Sequence, residues 1–242
     1  MGKFWSMAIR AVLWDVDDTI FDYAGSDRTG LLRHLRAEGL ADSDEDHHDR
    51  WMRIASVHWA RVAAGESDWY AHCRDRVREF LDADLSDADA DAWFTRYVGH
   101  YESSWELFPD TVPALDALAG THRHAILSNS SIDHQERKLR ALGVRDRFEV
   151  LLCARELGVY KPDARAFRAA CEALELDPHE VVYVGDEPDI DAAGAVAAGL
   201  TGVWLDRRGR GGRPELVRIT GLAELPGLLA GHTRFGAPDT FG

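Results

Sequence analysis

Cysteine is scarce in this chain of 242 residues, which has only three, at the widely separated positions Cys73, Cys153 and Cys171. An odd number at such spacings fits neither a zinc-ligand pattern nor a disulfide framework. Chains with few cysteines are typical of reducing compartments. The segment "MGKFWSMAIR" lacks the apolar stretch of a signal peptide, and no apolar run is long enough for a membrane helix. The sequence therefore predicts a cytoplasmic protein with no membrane partner.

Positive charge is also in short supply. The chain has 28 Lys and Arg against 42 Asp and Glu, for a formal net charge of -14. Nucleic acids and anionic membranes attract basic surfaces, so we expect no nonspecific binding to either. A local cation can still attract a small anionic substrate. Hydrophobic residues at 45% and aromatic residues at 10% indicate an ordinary globular protein, as one domain with an insertion or as two domains.

The order of helical and strand patterns predicts an α/β fold. A strand is expected at about residues 8–15, where "AIRAVLWDVD" becomes continuously apolar. Residues 24–106 then show apolar spacing typical of about four helices, with no strand-like run between them. From residue 107 onward helices alternate with strands, which include "RHAILSNS", "FEVLLCA", "EVVYVGD" and "TGVWLD". This alternation predicts a Rossmann-like, doubly wound parallel sheet with helices on both faces.

The same order predicts two domains. Residues 1–23 and 107–242 would form the α/β core, and residues 24–106 an inserted all-α helical bundle. Residues 1–6 precede the first strand as an extension without a role in the fold. Residues 231–242 have little apolar content and no periodicity, so we expect a flexible tail there.

Polar residues at the strand ends form one candidate site, because ligands of such sheets bind at the carboxyl ends of the strands. Converging carboxylates need positive charge among them, and hard oxygen ligands suit Mg²⁺. Lys161 would add a fixed cation, and Ser128 a hydroxyl that can hold a phosphoryl oxygen. This combination predicts phosphoryl transfer. The full set is Asp15, Asp17, Thr19, Ser128, Asn129, Lys161, Asp186 and Asp191.

The spacing of the first two aspartates assigns their roles. Asp15 ends the strand, so its carboxylate can project outward and attack phosphorus in line. Asp17 points to the same side of an extended chain. It can protonate the leaving oxygen and later take a proton from water. Its backbone carbonyl could also face the metal ion.

Four motifs resemble, in order, those of the haloacid dehalogenase-like (HAD) superfamily. They are "DVDDT" (15–19), "SNS" (128–130), "YKP" (160–162) and "VGDEPDIDAAGA" (184–195). The resemblance covers about residues 8–230 and is nearest to the phosphatase branch with a type-I helical cap. It implies that residues 24–106 form a mobile cap that closes over the site, excludes water and contacts the substrate.

The resemblance also implies a role for each matching residue. Asp15 would be the phosphoaspartate nucleophile and Asp17 the general acid/base. Asp186 would bind the metal ion with Asp15 and the Asp17 carbonyl, and Asp191 would hold a metal-bound water. Phosphate would be bound by Thr19, Ser128, Asn129 and Lys161. Two departures from the family pattern are Ser130, where glycine is common, and Glu187-Pro188 after the "GD" pair.

The predicted function is that of a Mg²⁺-dependent phosphatase acting through an aspartyl-phosphate. Its partner would be a small phosphorylated metabolite of the nucleotide, sugar phosphate or phosphoglycolate type, and the protein a monomer or homodimer. A phosphomutase and a catalytically silent binding protein are alternatives on the same fold. A 2-haloacid dehalogenase is less favoured, since dehalogenases of this superfamily lack the second aspartate.

Two other segments have competing interpretations. The basic segment 206–213, "DRRGRGGR", is read as a flexible loop in preference to a phosphate-binding one. His47 and His48 are read as part of a solvated acidic turn in preference to a metal site, because nothing else there has ligand spacing.

Overall fold

The computed structural model describes residues 8–40 and 45–233. The chain divides into two compact units: one runs through Asp22 and resumes at Leu107, and the other is Tyr23–Glu106. The expected extension at residues 1–6 lies outside the described residues. Among the described helices, none is both long and apolar enough to cross a membrane.

The first unit is built on a parallel sheet. In chain order its described strands are β1 (Ala11–Trp14), β2 (Arg123–Ser128), β3 (Val150–Cys153), β4 (Val181–Gly185), β5 (Thr201–Leu205) and β6 (Val217–Ile219). Their order across the sheet is β3-β2-β1-β4-β5-β6, and every neighbouring pair is parallel. The order reverses direction between β1 and β4, which is where a doubly wound sheet opens a crevice at its carboxyl edge. The predicted Rossmann-like fold is confirmed.

The second unit contains four described helices, in agreement with the predicted all-α fold. They are α1 (Tyr23–Ala37), α2 (Glu45–Ala63), α3 (Trp69–Leu81) and α4 (Asp87–Glu102). Asp68 and Ser86 cap α3 and α4, since their side chains accept hydrogen bonds from the backbone N–H groups of Ala71 and Asp89. Buried aromatic rings form the interior, with the Trp51 and Phe80 centroids 5.1 Å apart.

Helices of the first unit follow the strands. They are α5 (Thr111–Leu118), α6 (Ile132–Ala141), α7 (Ala154–Leu157), α8 (Ala164–Leu174), α9 (Gly194–Ala198) and α10 (Leu225–Thr233). One core layer packs Leu13, Leu127 and Tyr183 of the sheet against Phe167 and Leu174 of α8. These side chains leave almost no area in contact with water, which is the main source of the sheet's stability.

The structure differs from the sequence-based expectations in two places. β6 was not predicted, because its three residues are too few to show a strand period. The last helix continues to Thr233, so residues 231–233 are helical and do not belong to the tail predicted at 231–242. The rest of that tail lies outside the described residues.

Candidate active site

The carboxyl ends of three neighbouring strands bring the first site residues together. Asp15 directly follows β1, and its backbone N–H donates to the Val184 carbonyl of β4 over 2.9 Å. Ser128 is the last residue of β2, and Gly185 is the last residue of β4. The crevice at the reversal of strand order is therefore lined by polar groups, as predicted from the sequence.

Lys161 is the central cation of the site. Its buried ammonium donates to Asp15 Oδ1 over 2.7 Å, to Asp191 Oδ1 over 2.7 Å and to the Tyr183 hydroxyl over 2.6 Å. Burial alone would lower the pKa of Lys161, but the charges of Asp15 and Asp191 outweigh burial and raise it. The Tyr183 hydroxyl donates in turn to the Leu127 carbonyl over 3.0 Å. Lys161 is thus a fixed positive charge.

Three carboxylates face one another beside this cation. Asp15, Asp186 and Asp191 each offer an oxygen within 4.8 Å of the others. Burial raises the pKa of Asp186 to about 9, and the charges of Asp15 and Asp191 add to the effect. Burial likewise raises the pKa of Asp15 to about 7, although Lys161 opposes it. One ammonium does not balance three carboxylates, so these residues fit a hard divalent cation with oxygen ligands.

The position of Asp191 depends on Gly185. A Cβ atom on Gly185 would lie 2.4 Å from both Cγ and Oδ2 of Asp191, closer than non-bonded atoms approach. Asp191 Oδ2 also accepts the backbone N–H of Glu187 over 3.0 Å. The Asp191 carboxylate belongs to this group of three, and the metal-bound water that the sequence assigns to it stays a prediction.

Asp17 is held separately, by helix α6. Lys138 donates to its Oδ1, and the Gln135 side-chain amide donates to its Oδ2 over 2.8 Å. Burial would raise the pKa of Asp17, but the Lys138 charge and these hydrogen bonds hold it below its usual value. The Asp17 carboxylate is therefore a base at rest. The predicted metal contact through its backbone carbonyl stays a prediction.

The remaining predicted residues support their neighbours. The Thr19 hydroxyl is buried and donates to Asp15 Oδ2 over 3.1 Å. Ser128 Oγ accepts from Gln135 Nε2 over 3.0 Å. The Asn129 amide donates to the Lys161 carbonyl over 3.0 Å, and its oxygen accepts the Lys161 N–H over 2.8 Å. The Asn129 side chain thus positions Lys161, and phosphate binding by these residues stays a prediction.

The chain that carries this site matches a known protein family. Residues 9–199 match the family described as haloacid dehalogenase-like hydrolase. The chain belongs to this family. It is therefore a hydrolase, and the resemblance of its four motifs is confirmed.

Relatives of this haloacid dehalogenase-like hydrolase include enzymes with different reactions. A glyceraldehyde 3-phosphate phosphatase from Methanopyrus kandleri is 30% identical over 207 residues, which are 84% of this chain and 85% of the relative. An (S)-2-haloacid dehalogenase from a Pseudomonas species is 29% identical over 230 residues, 91% of this chain and 96% of the relative. The solved structure of the HAD-hydrolase YfnB from Bacillus subtilis, bound to magnesium, shares the fold. It has a TM-score of 0.78 at 22% identity and covers 92% of this chain and 99% of its own.

Sequence reasoning missed two buried partners in this hydrolase. Tyr183 lies in the apolar run "VVYVG", where periodicity predicts burial but not what a hydroxyl contacts. Lys138 lies in "HQERKLRAL", where a lysine among charged residues is ordinarily on a solvated face. The spacing of Lys138 could have indicated its burial. Lys138 directly precedes the buried Leu139 and lies three residues after Gln135, on the same side of the helix.

The basic segment 206–213, which the sequence predicts to be a flexible loop, makes several hydrogen bonds in the structure. The buried Asp206 accepts the backbone N–H groups of Arg210 and Gly211, each over 2.9 Å. The Arg210 guanidinium donates to the Asp186 carbonyl over 3.1 Å, and Trp204 Nε1 donates to the same oxygen over 2.9 Å. The segment therefore helps to hold the backbone at Asp186.

Proposed function

We propose that this protein is a Mg²⁺-dependent phosphatase that hydrolyses a small phosphomonoester through an aspartyl-phosphate on Asp15. The observation that most supports this proposal is Asp17, a second aspartate whose carboxylate is held beside the strand-end site by two donors. A leaving alkoxide needs a proton, and the water that later attacks the aspartyl-phosphate must lose one. Asp17 can serve both steps.

In the first step an Asp15 oxygen attacks phosphorus while the bond from phosphorus to the ester oxygen breaks. Asp17 is a carboxylate at rest, so it first takes up a proton from solvent; it then gives this proton to the ester oxygen, and the alcohol leaves. Lys161 and Ser128 stabilise the negative phosphoryl oxygens during the transfer. In the second step Asp17 takes a proton from water, the water oxygen attacks phosphorus, and the bond to Asp15 breaks. The products are phosphate and the free Asp15 carboxylate.

Asp15, Asp186 and Asp191 are the residues that would hold Mg²⁺. When bound, the ion supplies positive charge for the phosphoryl oxygens and for the nucleophile. The raised pKa values of Asp15 and Asp186 support this assignment, because they mark a site with too little positive charge for its carboxylates. Lys161 keeps two of the three carboxylates in place.

A second candidate is a 2-haloacid dehalogenase, which the Pseudomonas relative favours. Release of halide requires no proton donor, because halide is a weak base. Asp17 and its buried partners Lys138 and Gln135 would then have no task, and buried polar groups are costly to fold. Phosphomonoester hydrolysis uses all three, so we favour it.

The proposal is tested by phosphate release from a panel of phosphomonoesters, with Mg²⁺ and then with EDTA. The panel spans nucleoside monophosphates, sugar phosphates, sialic acid phosphate and phosphoglycolate. We expect Mg²⁺-dependent release that Asp15→Asn abolishes. Absence of release from every ester, combined with chloride release from 2-chloropropionate, would replace the phosphatase with the dehalogenase.

A further inference from the structure

Lys138 is an ammonium group buried in helix α6, with only 1% of the residue exposed. Burying a charge is strongly unfavourable unless a partner compensates for the lost hydration. The partner of Lys138 is Asp17 Oδ1, and the ammonium also lies 4.2 Å from the centroid of the Phe21 ring. The ring covers the cation on one side, so its charge is directed at Asp17.

Gln135 lies one turn before Lys138 and faces the same way, as residues three apart on a helix do. Its buried Nε2 lies 2.8 Å from Asp17 Oδ2 and 3.0 Å from Ser128 Oγ. An amide NH₂ group has two hydrogens, so it can donate to both oxygens at once. Helix α6 therefore holds both Asp17 oxygens and links them to Ser128.

We propose that Lys138 and Gln135 are positioning residues that fix the Asp17 carboxylate for proton transfer to the leaving oxygen. This inference rests on the proposed phosphatase function. A proton donor must lie within hydrogen-bond reach of the oxygen it protonates, and a freely rotating aspartate seldom does. Contacts on both oxygens remove that freedom before the substrate binds.

The inference also specifies the substrate class. An alkoxide is a strong base, so an alkyl ester of phosphate needs the proton at the moment its bond breaks. A nitrophenolate is stable as an anion and leaves without one. A chain that devotes two buried side chains to placing Asp17 is therefore suited to alkyl phosphomonoesters, such as phosphorylated sugars, polyols or hydroxy acids.

The test compares kcat/KM for two esters: the alkyl phosphomonoester that the wild type hydrolyses fastest, and 2,4-dinitrophenyl phosphate. This parameter covers the steps up to formation of the aspartyl-phosphate and excludes its hydrolysis. We expect Lys138→Met to lower kcat/KM for the alkyl ester about 100-fold and for the dinitrophenyl ester less than about threefold. Gln135→Met should give the same pattern with a smaller loss, roughly tenfold. The matched control is Arg140→Gln on α6, whose side chain is 65% exposed and pairs with Glu136, and it should change neither value.

Equal losses with both esters would overturn the inference, since general damage to the site does not depend on the leaving group. Unchanged hydrolysis of the alkyl ester would overturn it as well. Lys138→Met leaves Asp17 without its cation, so the double variant Lys138→Met/Asp17→Asn, which removes both charges, gives a second measurement. If Lys138 acts through Asp17, its change should cause no further loss in the Asp17→Asn background. A wild type that hydrolyses neither ester would instead refute the phosphatase itself, and this inference with it.

Discussion

The two units bury polar side chains in different ways. In the α/β unit the buried polar groups of the site bond one another, as Lys161 does with Asp15, Asp191 and Tyr183. In the helical unit some of them also lie among aromatic rings without a hydrogen-bond partner. Of the residues that the structure describes there, His34 has both ring nitrogens buried without a hydrogen bond and packs 4.3 Å from the Trp93 ring centroid.

Buried histidines and buried carboxyls respond to pH in opposite ways. Burial lowers the pKa of His34 and of His72 to about 4, so the folded helical unit favours their neutral rings. In the α/β unit, burial raises the pKa of Asp186 to about 9. The fold there favours a neutral carboxyl, and the charged form loses stability as the pH rises. Protonation of His34 or His72 thus destabilises the helical unit, whereas the carboxyl of Asp186 is stabilised in the fold by a proton or by a bound cation.

The largest expected effect comes from Asp15→Asn in the α/β unit. Turnover should fall by on the order of 10⁴ or more, because an amide does not attack phosphorus. The thermal unfolding temperature in EDTA at pH 8 should stay equal or rise, since the change removes one of three facing carboxylates. Phosphate release and thermal unfolding measure the two effects. Residual turnover near the wild-type rate would make the nucleophile assignment wrong, and a clear drop in unfolding temperature would show that repulsion does not dominate.

Acid should destabilise the helical unit through His34 and His72. Well above pH 6.5 both buried histidines are neutral in the folded and the unfolded chain, so their contribution is at its maximum. As the pH falls from 6.5 to 4 the unfolded chain takes up protons first, which removes roughly 3 kcal/mol of stability per ring. Tryptophan fluorescence and near-ultraviolet circular dichroism against pH should therefore show a transition in this range.

The acid transition has a matched pair of control variants. His34→Phe replaces the ring with one that does not ionise and should move the transition to lower pH. His179→Phe changes an exposed histidine of the α/β unit and should leave the transition where it is. If the transition stays at the same pH in His34→Phe, the buried histidine does not cause the acid sensitivity.

Gly185→Ala should have an intermediate effect on the α/β unit. The new Cβ would lie 2.4 Å from the Asp191 carboxyl, so we expect a loss of about 1–3 kcal/mol in stability and weaker Mg²⁺ binding. Calorimetric titration with Mg²⁺ and thermal unfolding measure both. Gly120→Ala is the control, because a Cβ there would meet nothing within 4 Å. Normal Mg²⁺ affinity in Gly185→Ala would remove Asp191 from the metal site.

Arg96→Met in the helical unit should have the smallest effect. Arg96 makes two hydrogen bonds to Glu38, over 2.7 and 3.0 Å, but half of its side chain is exposed. We expect a loss below about 1 kcal/mol in the free energy of unfolding, which 1 M salt should remove. Thermal unfolding at low and high salt checks this, and a larger loss would mean that surface charge, as well as the aromatic interior, stabilises this unit.

The strand ends were the part of the site that the sequence predicted well. Asp15, Ser128 and Asp186 each follow an apolar run, and parallel strands bring such positions to one edge. The partners of these residues were harder to predict. Lys138 contacts the site from one face of α6, and Tyr183 contacts it from the middle of β4. Their contacts depend on which elements pack together, and local spacing does not contain that information.

The helical unit shows the same limit. Apolar spacing predicted its four helices, because burial of one helix face repeats with the helical period. It did not predict that His48 is buried with its Nε2 atom 3.1 Å from Asp27 Oδ2. The "DEDHHD" segment was therefore wrongly read, for this residue, as a solvated turn. The composition of the segment predicted an exposed side chain, but tertiary packing buries His48.

The Asn129 side chain binds only main-chain atoms of Lys161, accepting its N–H and donating to its carbonyl. Its two hydrogen bonds to residue 161 resemble those between adjacent strands. They do not depend on which side chains flank Lys161. Tyr160 is exposed, and Pro162 contributes no N–H group. An engineer could therefore randomise position 160 in a directed-evolution library and expect the ammonium of Lys161 to keep its place.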